Sequence, residues 1–230
     1  IIKRGNMINY KNTMDTPFNI NGYHLSPSSV SKYMPNTLGL SKTKENVIWE
    51  NPRPNTLFIG NTIHYGIEMM KHNNNDLINT IKEVIELRGY ANGELSRSYK
   101  YKNDNCFDLE ICLRSAKWLN DNCLDVHNQR YETEIYGAVI KNHIYSGTAD
   151  VLHRNKDNSY SLYDFKNYNG TSEYDERVQF NQLITYSIMA NQKGIKIKEV
   201  KIFNPIEETI KTRTLTDEYL NDFIDTQLRD

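Results

Sequence analysis

The stretch from Ser146 to Tyr168 holds three ionisable side chains where a sheet would gather them: Asp150 near the end of one expected strand, then Asp164 and Lys166 as a D-x-K triplet in the next. Side chains alternate faces along a strand, so Asp164 and Lys166 point one way and Tyr163 and Phe165 the other. A hairpin turning near Asp157 sets Asp150 and Asp164 on adjacent strands. Carboxylates that close repel each other unless something positive lies between them. A divalent cation is the economical answer, because Mg2+ takes one or two carboxylates and fills its other positions with water or phosphate oxygens. The bland alternative is an Asp beside a turn and a solvated surface ion pair, since D-x-K triplets arise often by accident.

Further residues are placed by helical spacing. A helix expected at 56–72 carries Ile59, Ile63, Ile67 and Met70 as a buried stripe, with His64 beside it and Glu68 four residues on, on the face of His64. A second, at 174–192, carries Gln182 and Tyr186 four apart, flanking a core stripe of Phe180, Leu183, Ile184 and Ile188, and ends at Gly194. Read alone, His64 is an ordinary partly buried helix residue, and Gln182 and Tyr186 are ordinary boundary positions.

The elements that must hold these residues follow from period and punctuation. Ser26-Pro27 starts a short helix running to about Met34. Helices are also expected at 76–88, stopped by Gly89, and at 108–124, where Leu109, Cys112, Ala116, Leu119 and Cys123 share a face. The period then shortens, and 131–140, 144–153 and 159–168 read as an antiparallel meander. Strands at 198–204 and 208–215 and a helix at 217–228 capped by Thr216 complete the chain. The expected architecture is one α/β domain over 1–230: an irregular arm (1–24), a mainly helical part (25–125) and a sheet core (126–230). Its order is α-β-β-β-α-β, with a central mixed sheet flanked by helices.

Bulk properties narrow the classes. A chain of 230 residues, 38% hydrophobic and 25% charged, suits a soluble globular domain. No apolar run approaches the roughly 18 residues of a membrane span, and the start lacks the apolar region of a signal peptide, so an intracellular location is expected. Cys106, Cys112 and Cys123 form no CxxC site and read as free thiols. A net charge of −1 argues against a protein that holds nucleic acid by charge alone. An acidic metal site can still offset basic surfaces such as Lys193, Lys196, Lys198 and Lys201. The 29 asparagines suggest AT-rich codons, as in a phage, a virus or a low-GC microbe.

Taken together, "LSPSSVSKY", "GNTIHYGIE", "GTAD", "YDFK" and "QLITY", in that order, resemble the PD-(D/E)XK nuclease superfamily, and more closely its RecB-type branch of phage and mitochondrial genome-maintenance exonucleases. The resemblance spans roughly 25–204 and implies a restriction-endonuclease-like fold. It implies a deoxyribonuclease dependent on one or two Mg2+ or Mn2+ ions, with DNA as partner and ends or single strands as substrate. Metal ligands would be His64, Asp150, Asp164 and the Phe165 carbonyl. Lys166 would stand beside the attacking water, with Gln182 and Tyr186 close to the site, and Ser28, Ser31 and Tyr33 would meet nucleic acid. Iron–sulfur members carry a cysteine before the proline that follows the first helix. Here Met34 precedes Pro35 and no cysteine follows Cys123, so no cluster is expected. The alternative is a nuclease-like module that binds nucleic acid or a protein without cutting.

Overall fold

A computed structural model describes residues 24–41, 56–73, 77–91, 106–125, 127–167 and 172–228. In it the period-two segments pair into one sheet ordered β1-β2-β3-β4-β5. The strands are β1 (Gln129–Ile140), β2 (His143–Arg154), β3 (Tyr160–Phe165), β4 (Ile197–Asn204) and β5 (Thr209–Thr214). The first three form an antiparallel meander, β4 lies parallel to β3, and β5 returns antiparallel to β4. Parallel neighbours need a long connection, and helix α5 (Glu173–Gln192) supplies it between β3 and β4. The other helices are α1 (Pro27–Val30), α2 (Thr56–Asn73), α3 (Leu77–Ala91), α4 (Cys106–Asn122) and α6 (Asp217–Gln227). The described residues thus form an α/β protein with a five-stranded mixed sheet and six helices, and α4-β1-β2-β3-α5-β4 follows the expected order. The arm before residue 24 and the proline-containing stretch 51–55, which reads from sequence as a loop, lie outside the described residues.

Two cores sandwich the sheet. On one side Ile59, Ile63, Ile67, Ile81, Ala116 and Leu119 of α2, α3 and α4 pack with Tyr131, Val151, Tyr163, Phe165 and Phe203. On the other, Phe180, Leu183, Ile184 and Met189 of α5 and Phe223 of α6 pack with Ile135, Ala149, Leu162 and Ile202. β3 is buried on both faces, Leu162 in one core and Tyr163 and Phe165 in the other. β1 and β2 change sides along their length. Strict alternation would keep Tyr131 with Ile135 and Ala149 with Val151, yet each pair is divided between the two cores. The change in β1 falls at Glu132, whose φ of 46° breaks the extended backbone.

Three local expectations are revised. α1 ends at Val30 and tightens into a 3-10 turn at Ser31–Tyr33, instead of continuing to Met34. Pro35 disfavours the helical region for the residue before it, and Met34 is extended with ψ of 148°. α3 runs through Gly89 to Ala91, since one glycine costs about 1 kcal/mol in a helix but does not by itself stop it. β3 ends at Phe165 rather than at 168.

α5 starts on a capping box in which Ser172 Oγ accepts the Asp175 amide at 3.1 Å and the Asp175 carboxylate faces back to Ser172. From Gln179 to Ala190 every residue except Gln182 is buried. The polar residues Asn181, Thr185 and Ser187 are covered along with the core stripe, and their hydrogen bonds are made internally. Thr185 Oγ1 donates to the Asn181 carbonyl and Ser187 Oγ to that of Leu183, both at 2.8 Å. Asn181 and Asn36 exchange amide hydrogen bonds of 2.9 and 2.7 Å, fixing a second 3-10 turn, Pro35–Thr37, against α5. At the far end, the Gln192 side chain receives the Val139 amide at 3.0 Å and donates to the Val139 carbonyl at 2.7 Å. Lys193 donates to the Gly137 carbonyl beside it.

The lysines read as a basic surface are spoken for. Lys196 pairs with Asp217, Lys198 with Asp157 and Lys201 with Glu199. Cys112 and Cys123 are free, and burial raises both thiols, that of Cys112 to about 12. They are inert core residues. Among the described residues no helix is long and apolar enough to cross a membrane.

Candidate metal centre

Strand register assembles a row of carboxylates. Val151 opposes Tyr163 across β2 and β3, and one step further along the same register places Asp150 opposite Asp164. On the other flank Tyr131 opposes Val151 and Thr133 opposes Ala149, which leaves Glu132 facing Asp150. The expected pairing of Asp150 with Asp164 thus gains a third member that sequence reasoning missed. A bulge between Ile135 and Ala138, with Gly137 at φ of 64°, decides which residue that is. Counted out from Ile140 opposite His143, an unbroken ladder would bring Thr133 to Asp150, and the extra residue brings Glu132 instead.

α2 delivers His64 to the same point. Its ring packs edge-on against Phe165 at 6.0 Å, and Nδ1 lies 3.8 Å from Glu132 Oε1 and 3.9 Å from Asp150 Oδ2. One ligand atom from each of His64, Glu132 and Asp150 falls within 4.8 Å of the others. These separations are too long for hydrogen bonds. They match neighbouring ligands of one ion, which at bond lengths of about 2.1 Å sit about 3 to 4 Å apart. Asp150 Oδ2 also accepts the Phe165 amide at 2.9 Å, which fixes its orientation.

Asp164 and Lys166 share a face as expected, with Lys166 Nζ 2.6 Å from Asp164 Oδ2. They are no solvated surface pair, because Asp164 is only 3% exposed. The lysine compensates the charge but approaches off the hydrogen-bonding direction, so Oδ2 remains a buried oxygen without an aligned donor. Asp164, expected among the ligands, is turned to Lys166 and stands outside the three-residue cluster, in which Glu132 takes its place.

The other candidates are distributed as follows. Phe165 meets the site through its amide and its ring. Tyr186 is buried in the α5 core, with its hydroxyl over Gly147 and beside the Thr148 amide, two residues ahead of Asp150. Burial, helped by the Asp150 and Asp164 charges, raises its phenol to about 12 and keeps it protonated. Gln182 is the half-buried exception on α5, one turn before Tyr186. Ser28 bonds Ser26 through the side chains, Ser31 is fully buried and donates to the Ser28 carbonyl, and Tyr33 stands 77% exposed. Ser31 therefore shapes the turn, leaving Ser28 and Tyr33 at the surface.

A Cβ at Gly147 would lie 2.5 Å from the Tyr186 hydroxyl oxygen and 2.9 Å from its ring. Because that ring is enclosed, Gly147→Ala should lower stability by about 1 to 3 kcal/mol. Thermal melts of the metal-free protein check this, and an unchanged melting temperature would mean that the tyrosine swings aside freely.

The charged groups of the site act strongly on one another. Burial pushes Asp150 up to about 7, the Asp164 charge adds to the push, and His64, Lys166 and the Phe165 amide pull the other way. Burial opposes a charged His64, but Glu132, Asp150 and Asp164 outweigh it and raise the imidazolium to about 9. Lys166 is likewise raised against burial by Asp164 and Asp150. Two carboxylate oxygens and an imidazole nitrogen within reach of one another form a donor set that fits a divalent cation.

Ligation requires Asp150 ionised and His64 neutral, so a cation must displace their protons. Below about pH 7 both are held, and between about 7 and 9 only that of His64. Mn2+ affinity should therefore rise about tenfold per pH unit from 7 to 9 and more steeply below 7. Calorimetry in buffers of different ionisation enthalpy reads the released protons, and a pH-independent affinity would remove His64 from the ligand set.

No protein-family model matches the chain, and no curated protein matches it.

Proposed function

We propose that the chain is a divalent-metal-dependent nuclease of the PD-(D/E)XK superfamily, RecB-type branch, that hydrolyses DNA phosphodiester bonds at ends or in single strands. The observation that carries this reading is the His64, Glu132 and Asp150 cluster set next to a buried Asp164–Lys166 pair at the end of a central strand. A bound Mg2+ or Mn2+ would acidify a water and polarise the scissile phosphate. His64, Glu132 and Asp150 would hold it, with Asp164 and the Phe165 carbonyl on the β3 side.

The protein's own groups then divide the work. Lys166, kept protonated by two carboxylates, orients the attacking water and meets charge growing on the phosphate oxygens. Asp164 holds the ammonium in place. The water's oxygen bonds to phosphorus as the bond from phosphorus to the 3′ oxygen breaks; the water gives up one proton to solvent and the 3′ oxygen takes one, which leaves a 5′-phosphate on one product and a 3′-hydroxyl on the other. Tyr186 braces β2 ahead of Asp150, Gln182 lies beside it, and Ser28 and Tyr33 offer contacts to the strand.

A module that only binds nucleic acid gains nothing from carboxylates gathered against phosphates. End-labelled single- and double-stranded DNA and RNA, incubated with Mg2+, Mn2+ or EDTA and run on a gel, test the proposal. Metal-dependent shortening of DNA is expected. Retarded but uncut DNA at every metal concentration would leave the binding module as the better description.

A further inference from the structure

Asn167 directly follows Lys166, is 8% exposed, and has an Oδ1 with no hydrogen-bond partner. It meets α2, where its amide lies against Gly60, with Nδ2 3.5 Å from the point a Cβ would occupy there. Gly60 and His64 are four residues apart and so share a face of α2, one turn from each other. Helical side chains lean toward the N-terminus, the side of His64 on which Gly60 lies. Strand and helix run in step at this point: Phe165 meets the His64 ring, and Asn167, two residues on, meets the preceding turn.

An unpaired acceptor that deep destabilises the protein unless something donates to it. Ionised phosphates and deoxyribose ring oxygens carry no donor. Water on a divalent cation donates strongly, and Mg2+ retains several waters when proteins bind it. One helical turn of about 5.4 Å is close to a metal–oxygen bond of about 2.1 Å followed by a hydrogen bond of about 2.8 Å.

We propose that Asn167 is a positioning residue whose side-chain oxygen accepts a hydrogen bond from water carried by a divalent cation at His64, Glu132 and Asp150. This rests on the metal reading of that cluster but does not require that the protein cut DNA. The experiment titrates Mn2+ into the metal-free full chain, by calorimetry and electron paramagnetic resonance, for wild type, Asn167→Leu, Asn167→Asp and His64→Ala. Asn167→Leu should bind Mn2+ about 10- to 100-fold more weakly, with a metal-free melting temperature at or above that of wild type. Asn167→Asp keeps an acceptor and should bind at least as tightly as wild type; should the leucine variant fail to fold, Asn167→Ala replaces it. Unchanged Mn2+ affinity in a folded Asn167→Leu or Asn167→Ala overturns the role of Asn167 alone. If wild type binds no Mn2+, or His64→Ala binds as wild type does, the metal reading fails and the inference with it.

Discussion

Asp150→Asn should abolish high-affinity Mn2+ binding and lower cleavage by on the order of a thousandfold, while the metal-free protein melts at or above the wild-type temperature. The two halves of this result separate ligation from folding. Asparagine still offers an oxygen to the Phe165 amide, so the β2–β3 contact survives. What disappears is a buried negative charge. The folded protein holds the Asp150 proton up to about pH 7, far above the ordinary carboxylate value, so the folded state binds protons more tightly than the unfolded chain. Ionised Asp150 therefore costs stability progressively as pH rises from about 4 to about 7, and the neutral amide removes that cost. Wild-type turnover in this variant would dismiss the site; a large loss of metal-free stability would make Asp150 a structural residue.

Lys166→Met is expected to lower turnover by about a hundredfold or more, the scale of removing one preorganised stabiliser of developing charge. It should also lower the metal-free melting temperature, by the equivalent of up to about 3 to 5 kcal/mol, because Asp164 is left buried without its counter-charge. Saturating Mn2+ should restore part of that stability while turnover stays low. A variant that loses Mn2+ affinity yet cleaves at the wild-type rate in excess metal would assign Lys166 to assembling the site.

Much of this arrangement is legible in the sequence. The stripe Ile59, Ile63, Ile67 fixes α2, and the hairpin between Asp150 and Asp164 needs only alternation and a short turn. Glu132 is different. Nothing local distinguishes it from Glu134, and its place opposite Asp150 depends on the one-residue bulge at Gly137, which a pattern of apolar and polar residues does not announce. A count out from the turn gives Thr133, and only a search for a bulge glycine in β1 would have corrected it. α5 misleads for another reason. Asn181, Thr185 and Ser187 are polar types that belong at a surface, but each hands its hydrogen bond to a nearby backbone or to Asn36, so polarity and exposure part company. The burial of Asp164 is equally hidden, because alternation gives the face of a side chain and not what covers that face.

The Gln192 side chain, finally, bears on how the molecule behaves in company. Its amide fills both backbone hydrogen-bonding positions of Val139, and Lys193 takes the Gly137 carbonyl, so this stretch of the β1 border has no free groups for an incoming strand. The opposite border, β5, carries no such amide clasp among the described residues and exposes Ile210. Strand-to-strand pairing is therefore blocked along this stretch of β1, and the growth of long ladders, which needs two receptive borders on every molecule, is hindered there.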